Sequence, residues 1–140
     1  WDLTEATDAQ KAGLKSWIDY YKANRDFLHS GRVVRVDQTE PTSWTHGVVA
    51  RDGSKALFSY VARAQSQFSR PSNIRLAGLE ADADYFVNVV EPAGAPEYTQ
   101  IAPPKWFDGV KVSGAALDKV GLRAPALRPD HALLIEVTRL

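Results

Sequence analysis

The apolar residues of this 140-residue chain change their spacing near residue 31. Before that point they recur every three or four residues, which is typical of a helix with one apolar face. The residues of this face are Leu14, Trp17, Ile18, Tyr21 and Leu28. After residue 31 apolar and polar residues mostly alternate, as they do in β-strands whose two faces have different surroundings. The pattern predicts one long N-terminal helix followed by a β domain.

The sequence also marks the two ends of the helix, which we predict over residues 8–29. Thr7 and Gln10 have the spacing of a capping box, and Asp8 places a negative charge in the first turn. At the other end, Gly31 follows His29 and Ser30. We expect Gly31 to have a structural role: it ends the helix by adopting the left-handed conformation found at many helix C-termini.

One charged residue interrupts the apolar face of this helix. On a helical projection Arg25 lies within about 20° of Leu14, in the middle of the apolar residues. Its stem then either covers apolar surface while the guanidinium reaches water, or the guanidinium is held at a junction between two layers. In the second case a carboxylate or several carbonyls hold it, and we take Arg25 as a structural residue of such a junction.

Short segments separated by turn residues follow the helix, with no helical pattern between them. This arrangement predicts a mainly β fold, an antiparallel Greek-key-like β-sandwich behind one long helix. The stretch 91–104 contains four prolines and is predicted to be a loop. The predicted strand segments are 32–38, 45–52, 55–65, 73–78, 84–91, 109–114 and 131–140.

Tyr85 has the position of a tyrosine corner, in which a Tyr hydroxyl bonds back to the backbone of the preceding connection. We therefore predict a structural role for it. Three carboxylates, Glu80, Asp82 and Asp84, lie nearby but lack the spacing and the Gly of a calcium-binding loop. We interpret them as solvated turn residues.

Composition removes several classes of function. Seventeen basic residues balance seventeen acidic ones, so the chain has no net charge that would favour nucleic acid or anionic lipid. No apolar run reaches the length of a membrane span, and a chain without Cys suits a cytoplasmic location. Because the sequence has no Met and begins with Trp1, we expect it to be a piece of a longer polypeptide.

Motifs of catalysis and of metal or cofactor binding are absent from the sequence. His29, His46 and His131 are far apart, and no nucleophile elbow, dinucleotide-binding motif or P-loop occurs. We predict no metal, no cofactor and no catalytic residue. Trp44 and Trp106 lie beside loops, where a Trp ring either stacks on a sugar or packs in a core or interface. A carbohydrate-binding module is thus an alternative function, and a sandwich that only mediates protein contacts is another.

Four stretches of the chain carry a further signal, and they read WDLTEATD, LKSWIDYYKANRDFLHSGRVVRVD, IRLAGLEADADYFV and VSGAALDKVGL. In the same order they resemble the C-terminal end of bacterial α-galactosidases of glycoside hydrolase family 36. In that family a large β domain precedes a (β/α)8 barrel, and a small antiparallel β domain follows. The resemblance implies that residues 1–30 are the exit of the last barrel strand and the last barrel helix, and that 31–140 are the C-terminal β-sandwich.

The family's chemistry is the retaining hydrolysis of terminal α-galactosyl groups by two aspartates. Both belong to earlier barrel strands, and since nothing in this chain matches their motifs, the chain alone is expected to be inactive. The resemblance implies that it packs on the barrel, with the apolar face and Arg25 turned to it, and that it supports oligomer contacts. We assign no substrate-binding residue. Two positions remain possible sugar contacts, namely Trp1 and Asp2. They lie at the strand exit, where barrel enzymes place their active-site loops.

Overall fold

The structure is a computed structural model that describes residues 2–94 and 102–140. It contains two α-helices, six β-strands and a 3₁₀-helix at Lys105–Asp108. The helices are α1 (Asp8–Ser30) and α2 (Gly114–Lys119). The strands are β1 (Arg32–Val36), β2 (Ser43–Val49), β3 (Lys55–Ala62), β4 (Asp84–Val90), β5 (Val110–Ser113) and β6 (His131–Arg139).

The start of α1 is confirmed. The hydroxyl of Thr7 accepts a hydrogen bond from the backbone N–H of Gln10 at 3.2 Å. The side-chain oxygen of Gln10 accepts one from the backbone N–H of Thr7 at 2.9 Å. These reciprocal bonds satisfy N–H groups that have no partner inside the helix.

The expected conformation of Gly31 is wrong. Its φ of −70° and ψ of 173° are extended, not left-handed, because the chain passes directly from α1 into β1. A side chain at this position would collide with Val48 and would come within 2.9 Å of the carbonyl oxygen of Val49. Gly31 is therefore needed for the close approach of the helix end to β2.

The predicted fold class is confirmed as a mainly antiparallel β fold behind one long helix, but the described strands form one sheet and not the two sheets of the predicted Greek-key-like sandwich. The six strands form one sheet in the order β1-β2-β3-β6-β4-β5, and every neighbouring pair is antiparallel. The C-terminal strand β6 is inserted between β3 and β4, so the last strand of the chain lies in the middle of the sheet.

One face of this sheet is buried, which we call the inner face. Strand β3 shows the alternation that produces it, because Ala56, Phe58, Tyr60 and Ala62 are buried and the residues between them are half-buried. The layer packed on this face is made of irregular chain, α2 and the 3₁₀-helix rather than of a second sheet. The covering residues include Ile74, Leu76, Trp106, Phe107, Leu117 and Leu122.

The predicted strand 73–78 does not join the sheet, and α2 was not predicted. Ile74 and Leu76 alternate with exposed residues as expected for a strand. Their backbone partners, however, are Leu122, at 2.7 and 2.8 Å from Ile74, and Leu117, at 3.0 Å from Leu76. The segment therefore closes the covering layer. Helix α2 has only six residues, too few for a repeating apolar spacing to reveal it.

Candidate functional site

Helix α1 contacts the face of the sheet opposite the inner face, which we call the outer face, through a mostly polar side. The hydroxyl of Tyr20 donates a hydrogen bond to Oε2 of Glu136 on β6 at 3.1 Å. The ammonium of Lys55 donates to Oδ1 of Asn24 at 3.2 Å and lies 4.5 Å from the centre of the Phe27 ring. Burial and the neighbouring Glu136 raise the pKa of Tyr20, so its hydroxyl keeps its proton at neutral pH. A few polar contacts of about 1 kcal/mol each hold α1 to the sheet.

The apolar residues of α1 point elsewhere. We call Leu14, Trp17, Ile18, Tyr21 and Leu28 the apolar stripe; its centre lies roughly 100° around the helix from the polar side. The exposed fractions are 38% for Trp17, 40% for Ile18 and 47% for Tyr21. None of the residues Asp8–Ser30, all of which the structure describes, is buried. The helix thus carries an apolar surface that the chain leaves largely exposed, although Leu14 and Leu28 are half-buried and Trp17 borders a cavity lined by residues of β4 and β6.

Arg25 lies in the middle of the apolar stripe and points to solvent within this chain. Its side chain is 63% exposed, and its Nε lies 3.7 Å from a carboxylate oxygen of Asp26. An exposed ion pair of this length contributes little to stability. The guanidinium is therefore available to a partner that covers the stripe.

A cavity of about 570 Å³ opens at the end of the sheet where β1 finishes and β2 begins. Its wall includes Trp44, which is 50% exposed, and Arg63, whose guanidinium carbon lies 3.9 Å from the centre of the Trp44 ring. The backbone N–H of Arg63 donates to the carbonyl of Thr42 at 2.8 Å, which holds the main chain of Arg63 near Trp44. At an exposed site, such cation–π stacking contributes about 0.5–1 kcal/mol.

The cavity wall also carries polar groups without partners. Among the described side chains, the buried atoms Nε2 of Gln38 and Oγ1 of Thr45 make no hydrogen bond. Arg35 and His46 face each other in the β1–β2 register. The formal charges of the wall balance, because Arg35 and Arg63 are offset by the carboxylates of Asp37 and Glu40.

Glu40 ties the loop after β3 to this cavity, and sequence reasoning missed that role. Its buried carboxylate accepts hydrogen bonds from Ser66 Oγ at 2.7 Å, Ser72 N at 2.8 Å, and Thr42 Oγ1 at 3.1 Å. Burial alone would raise the pKa of Glu40, but these bonds outweigh it and the pKa lies below its usual value. Ser66 and Ser72 lie 26 and 32 residues along the chain, so no local pattern connects them.

The structure separates the residues that were candidates for sugar contact. Trp1 lies outside the described residues. Asp2 is exposed and accepts two hydrogen bonds from Thr4, both at 2.8 Å, which lower its pKa. The stacking role considered for Trp106 is wrong, because the 3₁₀-helix places this ring in the core with its N–H donating to the carbonyl of Arg123 at 2.8 Å. Trp44 remains, and it lines the cavity.

Tyr85 has the geometry of a tyrosine corner. Its ring is fully buried, and its hydroxyl accepts a hydrogen bond from the backbone N–H of Glu80 at 3.1 Å. The neighbouring carboxylates form ion pairs, Glu80 with Arg139 at 3.0 Å and Asp84 with Lys111 at 2.9 Å. Within residues 2–94 and 102–140 there is no group of three or more acidic or His side chains placed to hold a metal ion. In the same ranges, no helix has the length and apolar content needed to cross a membrane.

Comparison with known sequences gives two matches that span most of the chain. The model of the glycosyl hydrolase family 36 C-terminal domain matches residues 42–135. An α-galactosidase from Escherichia coli is 31% identical over 141 residues, covering 96% of this chain and 20% of that protein. The chain thus spans about a fifth of the length of this curated relative.

Solved structures share the fold. An α-galactosidase from Geobacillus stearothermophilus, crystallised with raffinose, superposes with a TM-score of 0.75 and 22% identity over 99% of this chain and 17% of its own. An α-galactosidase from Lactobacillus brevis superposes with a TM-score of 0.76 and 17% identity, over 99% and 18% of the two chains. The helix and the sheet therefore occur together as one part of much larger proteins.

Proposed function

The chain belongs to the C-terminal domain family of glycosyl hydrolase family 36, and on that premise we propose that it is the C-terminal part of a longer α-galactosidase-like enzyme. The whole enzyme hydrolyses terminal α-D-galactosyl groups of galactosides with retention of configuration. This chain contributes no catalytic group and packs on the (β/α)8 barrel that does the chemistry. The names of the relatives support the substrate class, and this chain covers 17–20% of the length of each relative.

The uncovered apolar stripe carries this proposal. A well-capped helix of 23 residues with no buried side chain among them is expected to gain most of its stability from packing on a partner. We propose that this partner is the barrel of the same polypeptide. Residues 1–30 are then the exit of the last barrel strand and the last barrel helix, and 31–140 form the C-terminal β domain.

Arg25 has a specific place in this arrangement. The retaining reaction needs two carboxyl groups on the barrel, about 5 Å apart, and the arrangement of barrel strands and helices must hold that distance. A guanidinium in the centre of the apolar stripe pairs well with a carboxylate or several carbonyls once water is excluded. Arg25 is proposed to lock the last barrel helix in its orientation. Its role is positional and not catalytic.

The stripe is tested by placing one charge on either side of α1 in the full-length enzyme. Ile18→Asp lies in the stripe, and Ala23→Asp is a matched control because Ala23 is exposed on another side of the helix. We expect Ile18→Asp to lower both the melting temperature and α-galactosidase activity, since a buried unpaired carboxylate costs several kcal/mol. Ala23→Asp should change both only slightly. Equal effects of the two substitutions would contradict docking through the stripe.

The absence of catalysis in this chain has its own test. The purified 140-residue chain is incubated with an aryl α-galactoside, and release of the aryl group is followed by absorbance. We expect no turnover above the rate with buffer. Turnover that co-purifies with the chain through two chromatographic steps contradicts the assignment of the catalytic aspartates to the barrel.

Two further predictions stay attached to the proposal, namely a homo-oligomeric enzyme and a cytoplasmic location. Sedimentation velocity of the full-length enzyme measures its oligomeric state, and a monomeric profile would contradict the first prediction. The isolated chain has no barrel to cover the stripe, so we expect it to self-associate. Sedimentation velocity of the chain and of its Ile18→Asp variant measures this, and two identical monomeric profiles would count against it. Cell fractionation of the native enzyme tests its location.

A further inference from the structure

We propose that the cavity beside Trp44 is a binding site for a neutral saccharide. The proposal assumes, with the proposed function above, that the parent enzyme meets galactosides, but it assigns the sugar to a site on the β domain rather than on the barrel. It concerns the cavity at the ends of β1 and β2, which lies on a different element from the apolar stripe of α1.

The aromatic wall suits the apolar face of a sugar ring. The Trp44 indole is half exposed and is held in place by the Arg63 guanidinium, 3.9 Å from its ring centre. The backbone bond from Arg63 to Thr42, at 2.8 Å, holds the main chain of that stacking partner beside the start of β2. A Trp ring fixed in this way offers the remaining part of its surface to the C–H groups of a pyranose with little loss of side-chain freedom.

The polar wall suits sugar hydroxyls, which both donate and accept hydrogen bonds. The exposed side chain of Arg35 contributes guanidinium donors to the cavity wall. His46, opposite Arg35 in the strand register, adds a ring that donates at one nitrogen and accepts at the other. A ligand rich in hydroxyl groups satisfies these atoms, whereas an apolar ligand would leave them unpaired.

The balance of charge separates a neutral sugar from an anion. Two guanidiniums, Arg35 and Arg63, and two carboxylates, Asp37 and Glu40, line the same cavity. A phosphate or sulfate group therefore finds no excess of positive charge there. The hydrogen bonds from Ser66 and Ser72 to Glu40 keep the loop after β3 against the cavity, so that the site is formed before the ligand arrives.

The test is a titration of the 140-residue chain followed by ¹H–¹⁵N NMR and isothermal calorimetry. The ligands are methyl α-galactoside, melibiose and raffinose, with sodium phosphate as the anionic comparison. We expect saturable binding of at least one saccharide, with the indole N–H signal of Trp44 shifting. Trp44→Ala should weaken this binding by at least about tenfold, and Trp17→Ala, which removes an exposed indole from α1, by less than about twofold.

Each other outcome overturns the proposal. These outcomes are no saturable binding of any saccharide, binding that Trp44→Ala leaves unchanged, and phosphate binding tighter than that of the sugars. Arg35→Met gives a second reading that does not involve the indole, and it should also weaken binding. The docking proposal is judged separately, because Ile18→Asp is measured as stability and activity of the full-length enzyme and leaves the cavity residues intact.

Discussion

The inner face of the sheet and helix α1 differ in how far their apolar residues are buried within this chain. On the inner face Phe58, Tyr85, Val87, Ile135 and Val137 are less than 5% exposed and pack on one another and on the covering layer. On α1 every side chain is exposed or half-buried, although the helix is longer than any strand. Residues 31–140 therefore contain a complete hydrophobic core, and α1 does not belong to it.

The difference shows that amphipathic patterning does not identify the partner of an apolar face. The alternation in the strands is satisfied inside this chain, by α2 and the irregular segments that cover the sheet. The three-to-four spacing in α1 is equally regular, but its apolar stripe is turned about 100° away from the sheet. Its mostly polar side contacts β6 and β3 through Tyr20, Asn24 and Phe27.

The largest effect is expected from two identical substitutions placed in the two regions. Ile135→Ala on β6 removes a side chain with no exposure and should lower the free energy of unfolding by about 2–5 kcal/mol, since it leaves a cavity. Ile18→Ala on α1 should change the free energy of unfolding by about 0.5 kcal/mol or less, because the residue is 40% exposed. Urea unfolding of both variants measures these changes. Similar losses of stability would show that Ile18 is packed as tightly as Ile135.

The next largest effect is expected at Glu40, which ties the loop after β3 to the sheet. Glu40→Gln replaces an acceptor by an amide whose N–H₂ faces hydroxyl and N–H donors, and should cost about 1–3 kcal/mol at pH 7. The control is Asp37→Asn, because Asp37 is exposed and lies in the same connection. A cost no larger than that of the control would show that the hydrogen bonds to Glu40 do not stabilise the fold.

The same residue predicts a pH dependence. The pKa of Glu40 is lowered in the folded chain from its usual value of 4.5, so the unfolded state binds more protons near that pH. The stability that its carboxylate contributes is complete above pH 4.5 and is lost as the pH falls through the lowered pKa. Urea midpoints measured at decreasing pH should therefore fall less steeply for Glu40→Gln than for the unchanged chain. Parallel curves would show that the bonds to Ser66 and Ser72 do not stabilise the charged form.

A smaller effect is expected from removing one hydroxyl in each region. Tyr85→Phe deletes the fully buried acceptor of the Glu80 N–H and should cost about 0.5–1.5 kcal/mol, because that N–H is left without its partner. Tyr20→Phe deletes the half-buried bond to Glu136 and should cost less. Differential scanning calorimetry of the two variants ranks them. The reverse order would mean that α1 is more tightly integrated than its exposure indicates.

The smallest change in overall stability is expected at the contact between α1 and β3. Lys55→Met removes the ammonium that bonds Asn24 and keeps most of the stem, so the global free energy of unfolding should change by about 0.5 kcal/mol or less. Amide hydrogen exchange in α1 should nevertheless become faster, since local opening needs fewer contacts to break. Lys111→Met is the control, because Lys111 pairs with Asp84 and not with the helix. Unchanged exchange in α1 would show that other contacts hold it.

Local signals in the sequence were reliable where the interaction itself is local. The capping box joins residues three positions apart, and the tyrosine corner joins Tyr85 to a backbone group five positions earlier. Strand segments were found within a few residues of their observed limits, because alternation is a property of consecutive side chains. The family resemblance rested on similar short stretches, and the match over residues 42–135 confirms it.

Signals failed where the partner lies far along the chain. The alternation of Ile74 and Leu76 predicted a strand, but their partners Leu117 and Leu122 are more than 40 residues away. Trp106 was a candidate for sugar stacking until the fold placed it under the sheet. The stacking of Arg63 on Trp44 and the hydrogen bonds to Glu40 have no sequence signature. Both join the start of β2, or the connection before it, to residues that follow β3.

The order and type of the main elements, the capped start of α1 and the existence of an apolar face on it can all be read from the sequence. Spacing along the chain sets these features, because hydrogen bonds within a turn and side-chain periodicity act over a few residues. Long-range packing is needed to establish that β6 lies between β3 and β4, that Gly31 is extended, and that the apolar stripe stays largely exposed. Those outcomes depend on which distant surfaces exclude water together, and that choice is made by the whole fold.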